Sequence, residues 1–395
     1  MKPMGAIPPE FQSLPLMVGG RSVEQLLTST PMFVYDRSVV ESRVARFRSA
    51  FPGVDLHYAV KANPFAPLLS AMAPLVDGFD VASAGELARV AGLGKAVSFA
   101  GPGKTDAELD AAIAAGITIN LESEGEADRA LAIGDLQGTT PRLAIRVNPE
   151  FELRGSGMRM GGRASPFGVD AERVPSLVRR IVAAGAEWRG FHIFAGSQAL
   201  DAMAIIDSQA HTLDLAARLA DAAGARPPLV NLGGGFGIPY FPGEQPVDVE
   251  AIGAALTPRL VALTGTRFAI ELGRWLVGEA GVYLTRVIDR KESRGEVFLV
   301  CGGGLNHQLA ATGNLGTVVR RNYPVAVATA APGAPTEIVS VVGPLCTPLD
   351  RLADQVELPV ARPGDVIAVF MAGAYGLSAS PWEFLGHPRP AEVLT

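Results

Sequence analysis

The chain has 395 residues, 48% of them hydrophobic and 19% charged, with a formal net charge of −6. That much apolar material supplies a sizeable core, the low charge fraction excludes a disordered chain, and the acidic balance speaks against nucleic acid or an anionic membrane as partner. Two cysteines, Cys301 and Cys346, cannot build a disulfide framework, and the opening MKPMGAIPPEF lacks a signal pattern. With no run of about 18 apolar residues either, a cytoplasmic protein is expected.

The first 35 residues hold one short extended piece, starting at MFVYD. From there short apolar runs alternate with Ala/Leu-rich helical stretches. The runs are LHYAVKA (56–62), GFDVAS (78–83), AVSFAG (96–101), TINLES (118–123), RLAIRVN (142–148), GFHIFAG (190–196), LVNLGGG (229–235) and RFAIELG (267–273). Alternation of this kind implies right-handed crossovers and a parallel sheet. Eight units over residues 36–280 predict an α/β fold, a (β/α)8 TIM-like barrel; a doubly wound open sheet is the alternative, and the even count favours closure. Beyond residue 281 the runs GVYLTRVIDR, EVFLVCGG, PVAVAT, TEIVSVV and DVIAVFMAG are separated by turn residues. They predict an antiparallel β domain built from 281–395 together with 1–35.

Barrels carry their chemistry where strands end, and the polar residues there form a coherent set. Lys61 closes the first run between Val60 and Ala62, where partial desolvation suits an amine to nucleophilic use; a lysine reaching out to solvent is the other reading. Gly233, Gly234 and Gly235 end the seventh run, where successive backbone N–H groups can cradle a phosphate, or simply form a turn. Glu271 and Arg274 close the eighth, with a carboxylate for the barrel mouth and a cation for the same phosphate; a plain ion pair between the two is the alternative. On the sixth run His192 and Phe194 share a face, as packed core or as part of the site, and Ser197 just beyond offers a hydroxyl. A lysine, a phosphate cradle and a lone carboxylate on one rim are the three groups that pyridoxal 5'-phosphate needs, without a metal.

These motifs together resemble the fold-type III pyridoxal-phosphate decarboxylases, the diaminopimelate and ornithine decarboxylase group, over residues 30–385. YAVKANP resembles the motif whose lysine binds the cofactor aldehyde, which implies Lys61. NLGGGFG resembles the phosphate loop, GSQ the motif that puts Ser197 on the phosphate, and GAYG the motif that puts Tyr375 there. ELGR resembles the family's Glu-Pro-Gly-Arg with Leu272 for proline, implying Glu271 at the pyridine nitrogen and Gly273 and Arg274 at the phosphate. GPLCTPLD resembles the motif that implies Cys346 as an acid reaching the neighbouring subunit's site, hence a homodimer with shared active sites. Within the group, KPMGAIPPEF, AGPGKTDAEL, FELRGSGMRMGG, GFHIFAGSQ and RRNYPVA look most like the exosortase-system-associated branch. A neighbouring branch acts on carrier-protein-tethered aminoacyl groups.

The chain departs from the family pattern in three places. Phe194 stands where the family stacks a His on the cofactor ring, so His192 is the only imidazole nearby in sequence. Thr347 replaces the Glu with which diaminopimelate enzymes read the substrate's distal amino group, and the Gly302-Gly303-Gly304 segment lacks the usual Asp. Arg146 either reaches the ring's phenolic oxygen or pairs with a barrel carboxylate. The Arg320-Arg321-Asn322-Tyr323 cluster either meets a distal carboxylate of the substrate or is a solvated basic turn. The resemblance implies decarboxylation of an amino acid, free and basic or diaminopimelate-like, or tethered to a carrier protein. Two alternatives stay open: a racemase of the same fold, against which Glu271 argues because racemases place an Arg there, and a cofactor-carrying homeostasis protein, against which the C-terminal β domain argues.

Overall fold

The computed structural model describes residues 1–153, 155, 157–159, 161–162, 164–313 and 321–395. Contacts divide the chain into two compact units: Met1–Arg43, Ile238–Gln245 and Arg274–Thr395 form one, Val44–Gly237 and Pro246–Gly273 the other. Strand β1 (Met32–Tyr35) belongs to the first. Eight parallel strands of the second form a ring: β2 (Asp55–Ala59), β3 (Gly78–Val81), β4 (Ala96–Phe99), β5 (Thr118–Leu121), β6 (Arg142–Asn148), β7 (Glu187–Ile193), β8 (Leu229–Asn231) and β9 (Arg267–Leu272).

Neighbouring strands pair in the order β6-β7-β8-β9-β2-β3-β4-β5, and β5 pairs with β6 to close the ring. Closure decides between the barrel and the open sheet in favour of the barrel. The helices that follow the strands are started by capping residues. Ser83, Thr105, Ser123 and Asp201 accept the backbone N–H of Glu86, Glu108, Glu126 and Met203 and so start the helices beginning at Ala84, Asp106, Glu124 and Ala202.

Register fixes what the barrel encloses. Glu271 and His192 touch across the intervening β8, so both point inward. Tracing the pairs around the ring from them puts His57, Asp80, Ser98, Asn120, Arg146 and Asn231 on the same face. Every strand thus contributes a polar side chain to the interior, and all eight are buried. A barrel core is ordinarily Val, Ile and Leu. Polar groups in its place need partners; Ser98 bonds to Asp80, His192 to Glu271, Arg146 to Glu122 and Asn231 to the Gly233 N–H, while His57 Nδ1 and Asn120 Nδ2 are buried without one among the described residues. A bulge at Trp188–Gly190 sets the phase of β7; Gly190 has φ +112° and a Cβ there would lie 1.8 Å from Leu229 O. Without it His192 would turn to the other face.

The first unit's sheet uses β10 (Gly281–Ser293), β11 (Glu296–Cys301), β12 (Val325–Val327), β13 (Thr336–Val342), β14 (Arg351–Pro359), β15 (Val366–Val369) and β16 (Ala391–Leu394). The order is β12-β15-β10-β11-β13-β14, with β1 bonded to β10 and β16. Most pairs are antiparallel, as the turn-separated runs predict. Two are parallel, β11 with β13 and β1 with β16, because long connections rather than hairpins join them. The sheet is therefore mixed. No helix among the described residues is long and apolar enough to cross a membrane.

Candidate active site

Lys61 sits in the single turn Val60–Ala62 that follows β2. Its Nζ lies 3.7 Å from Glu271 Oε1 and 5.8 Å from the centre of the Phe194 ring. The lysine side chain is 46% exposed while that of Glu271 is 2% exposed. Val60 and Ala62 therefore do not desolvate the amine, which stands open to an incoming ligand with the carboxylate behind it.

Glu271 Oε2 lies 3.1 Å from His192 Nε2. An ionised carboxylate only accepts, so His192 carries its proton on Nε2 and donates; its Nδ1 is buried without a hydrogen-bond partner among the described residues. Burial alone would raise the Glu271 carboxyl. The Lys61 ammonium, the His192 bond and the Arg146 charge outweigh burial and hold it well below the usual carboxylate range. Asp80, which accepts the Ser98 hydroxyl at 2.8 Å, responds in the opposite sense: burial and the Glu271 charge push it well above its ordinary value. Two adjacent buried carboxylates cannot both ionise cheaply, so Glu271 keeps the charge and Asp80 keeps the proton.

The glycine turn packs backbone against backbone. Cβ atoms would lie 2.7 Å from Ile193 O at Gly233, 1.8 Å from Glu271 O at Gly234 and 2.2 Å from Gly196 O at Gly235. Gly233 and Gly235 have φ of +68° and +82°. Ala199 N donates to Gly235 O, which ties this turn to the Gly196–Ser197 segment. Consecutive glycine N–H groups in such a turn can form an anion nest. Gly273 is needed for another close approach: a Cβ there would sit 2.8 Å from the Ala62 Cβ, in the turn that bears Lys61. We expect Gly234→Ala to weaken retention of a phosphorylated ligand by about tenfold or more, because the added methyl must displace the β9 backbone. Equilibrium dialysis measures this; unchanged retention would contradict the cradle.

Arg146 pairs with Glu122 at 2.9 Å, and its guanidinium stands 5.1 Å from the Phe167 ring centre. Glu122 also accepts the N–H of Gly101 and Gly168. Arg146 thus takes the barrel-carboxylate partner, and its charge is still felt at Glu271.

In the other unit Arg274 gathers tyrosines. Its Nη1 donates to Tyr240 Oη at 2.9 Å, and the guanidinium lies 4.7 Å from the Tyr375 ring centre. Arg274 Nε is buried without a partner among the described residues. Tyr323 stacks on Tyr240 with ring centres 4.6 Å apart. Arg321 is paired with Glu244 at 3.1 Å and lies 3.7 Å over Phe241. Cys346 is exposed, in the loop after β13, and the Thr347 hydroxyl accepts the Leu349 N–H within that loop. Cys301 is buried at the end of β11, where burial raises its thiol far above the ordinary range, a core residue without chemistry. Arg154, Ser156, Met160, Arg163 and Arg320 lie outside the described residues.

Sequence reasoning missed Asp80, Glu122 and Tyr240. A visible signal existed for the first, an aspartate in the middle of the apolar run GFDVAS; nothing local marks Tyr240, whose part depends on Arg274 reaching it. An accessible amine, an ionised carboxylate behind it, an aromatic face and an anion nest fit a phosphorylated pyridine aldehyde.

Comparison with known proteins agrees. The model of the pyridoxal-dependent decarboxylase pyridoxal-binding domain matches residues 37–278. The chain is 37% identical over 379 residues to the L-glutamyl-[BtrI acyl-carrier protein] decarboxylase of Niallia circulans, covering 92% of this chain and 88% of that one. It is 31% identical to the diaminopimelate decarboxylase of Methanothermobacter thermautotrophicus, over 96% of this chain and 90% of that one. Among solved structures, diaminopimelate decarboxylase from Helicobacter pylori complexed with L-lysine superposes with a TM-score of 0.84 at 27% identity, covering 94% of this chain and 93% of that one.

Proposed function

The chain belongs to the pyridoxal-dependent decarboxylases, and from that premise we propose that its substrate is an aminoacyl group whose distal carboxyl is masked by attachment to a carrier protein. It is a carboxy-lyase working with pyridoxal 5'-phosphate. One observation supports the masked substrate above all: the residue after Cys346 is the neutral Thr347, and Arg321, the candidate cation for a distal carboxylate, is already engaged by Glu244 and Phe241. A free distal ammonium or carboxylate would need an opposite charge, and an uncharged thioester does not. The relative from Niallia circulans, which acts on a carrier-bound glutamyl group, points the same way.

In this reading Lys61 binds the cofactor's aldehyde carbon, and Gly233, Gly234, Gly235, Ser197, Gly273, Arg274 and Tyr375 hold its phosphate. Phe194 takes the aromatic stacking position, which leaves His192 free to orient Glu271. Glu271, kept ionised, holds a proton on the pyridine nitrogen; Arg146, paired with Glu122, adds its charge to keep Glu271 ionised. The bound cofactor supplies the electron sink that lets the α-carboxylate leave as carbon dioxide. Cys346, contributed across a homodimer interface, delivers a proton from its thiol to the α-carbon and is reprotonated by water. Arg321, Tyr323 and Thr347 line the approach for the substrate's distal end.

Carbon dioxide release from a glutamyl-carrier thioester, compared with free diaminopimelate, lysine, ornithine and arginine, tests the proposal. The expected kcat/KM is about a hundredfold or more in favour of the carrier substrate. Preference for diaminopimelate overturns the masked substrate. Interconversion of enantiomers without gas means a racemase, and cofactor binding without any turnover means a carrier of the cofactor.

A further inference from the structure

Cys346 stands on a short loop with no secondary structure of its own, yet a proton donor must be held to within a fraction of an ångström of its target. What holds it is four residues away. Asp350 is buried, and its two carboxylate oxygens are spent on two different loops. Oδ2 accepts the N–H of Leu345, the residue before the cysteine, at 2.8 Å. Oδ1 accepts the N–H of Leu305, at the end of the Gly302-Gly303-Gly304 segment, at 2.6 Å. The backbone closes the same turn: Gly343 N donates to Asp350 O, Thr347 N to Leu345 O and Asp350 N to Thr347 O. Two glycines make room for the carboxylate, since a Cβ would lie 2.1 Å from it at Gly304 and 2.3 Å at Gly343. Gly304, Gly343 and Asp350 are thus one device, and Cys346 lies in the loop that it closes.

We propose that Asp350 is a positioning residue for Cys346: its carboxylate closes the 345–350 loop and ties it to the 302–305 loop, fixing where the thiol stands. This rests on the reading of Cys346 as proton donor. Because both oxygens accept backbone N–H groups, asparagine cannot replace aspartate. Its amide NH2 would face one of those N–H groups, donor against donor. Shape is conserved in that exchange and function is not.

The experiment is a double-mutant cycle in the holoenzyme with Asp350→Asn and Cys346→Ala, using steady-state turnover and hydrogen exchange at Leu305 and Leu345. Asp350→Asn is expected to lower kcat about tenfold or more with KM within about twofold, and to speed exchange at one or both amides. In the Cys346→Ala background the same substitution is expected to change kcat by less than about twofold, because nothing remains to be positioned. Additive losses would overturn the proposal. So would an Asp350→Asn enzyme that loses bound cofactor or its cooperative melt, since the residue would then support the whole unit, and so would unchanged turnover. A Cys346→Ala enzyme with wild-type turnover is a separate failure, that of the donor assignment.

Discussion

Lys61→Ala is expected to yield a chain that binds pyridoxal phosphate without a covalent link, shows no borohydride fixation to the protein, and turns over at least about three orders of magnitude more slowly. The expectation comes from geometry rather than from the motif. Lys61 is the amine that stands 3.7 Å from the buried Glu271 carboxylate with its own side chain nearly half exposed. Its removal also has an electrostatic consequence. The lysine charge is the largest influence holding the Glu271 carboxyl down, so without it the carboxyl rises and contests the proton kept by Asp80. The loss should therefore exceed that of a missing nucleophile alone, and added methylamine should restore only part of it. Fixation of cofactor at any other lysine, or turnover within about tenfold of wild type, would remove the foundation of the proposed site.

The barrel was legible because eight apolar runs at regular spacing leave few ways to bury a parallel sheet. The mouth residues were legible because barrel geometry says where a strand's last residue goes, so Lys61, Gly233 and Glu271 could be placed before any distance was known. The polar interior was not. His57, Asp80, Ser98 and Asn120 sit in runs that read as apolar, and only the register around the closed ring gathers them with His192 and Glu271. Long-range pairing defeated local reading at Asp350 too, whose partner amide belongs to Leu305, 45 positions away. The β11–β13 pair is a third case. Turn residues predict hairpins, but direction is decided by the whole connection, and that connection crosses over.

The proposed roles of Phe194 and His192 rest on how each side chain is engaged. Two aromatic side chains in one short segment compete for the same ring face on paper. In the structure His192 is spent: its Nε2–H is bonded to Glu271 and its side chain is only 3% exposed. Phe194 has the amine of Lys61 near its ring. Stacking needs only an aromatic face, which phenylalanine supplies, whereas orienting a carboxylate needs an N–H, which only histidine supplies. The proposed site therefore divides the two tasks between the residues.

Glu271→Gln is expected to lower kcat by about a hundredfold to a thousandfold, the cost of removing one preorganised charge aimed at the reacting centre. Lys61 remains, so borohydride fixation of the cofactor should persist, and this separates the two variants. Glutamine keeps the size and an oxygen for His192, but its neutral amide cannot keep a proton on the pyridine nitrogen. The pH dependence carries a second signature. A carboxyl held below its unfolded value of 4.5 stabilises the fold at all pH above that value and loses the contribution only as pH falls through the depressed folded value. Wild type should thus retain this contribution through mildly acidic conditions, and Glu271→Gln should lack it. Asp80 has the opposite sign: its raised folded value favours the fold at low pH and opposes it as pH rises. Without the Glu271 charge its value should drop toward the ordinary range, so the variant's stability should depend less on pH than that of wild type from both directions. Thermal melts of the two proteins from about pH 2 to 8, a span that reaches well below the unfolded value of 4.5, measure this. Parallel curves, or a Glu271→Gln enzyme within about threefold of wild-type kcat, would mean that the ionised carboxylate is not what supports the chemistry.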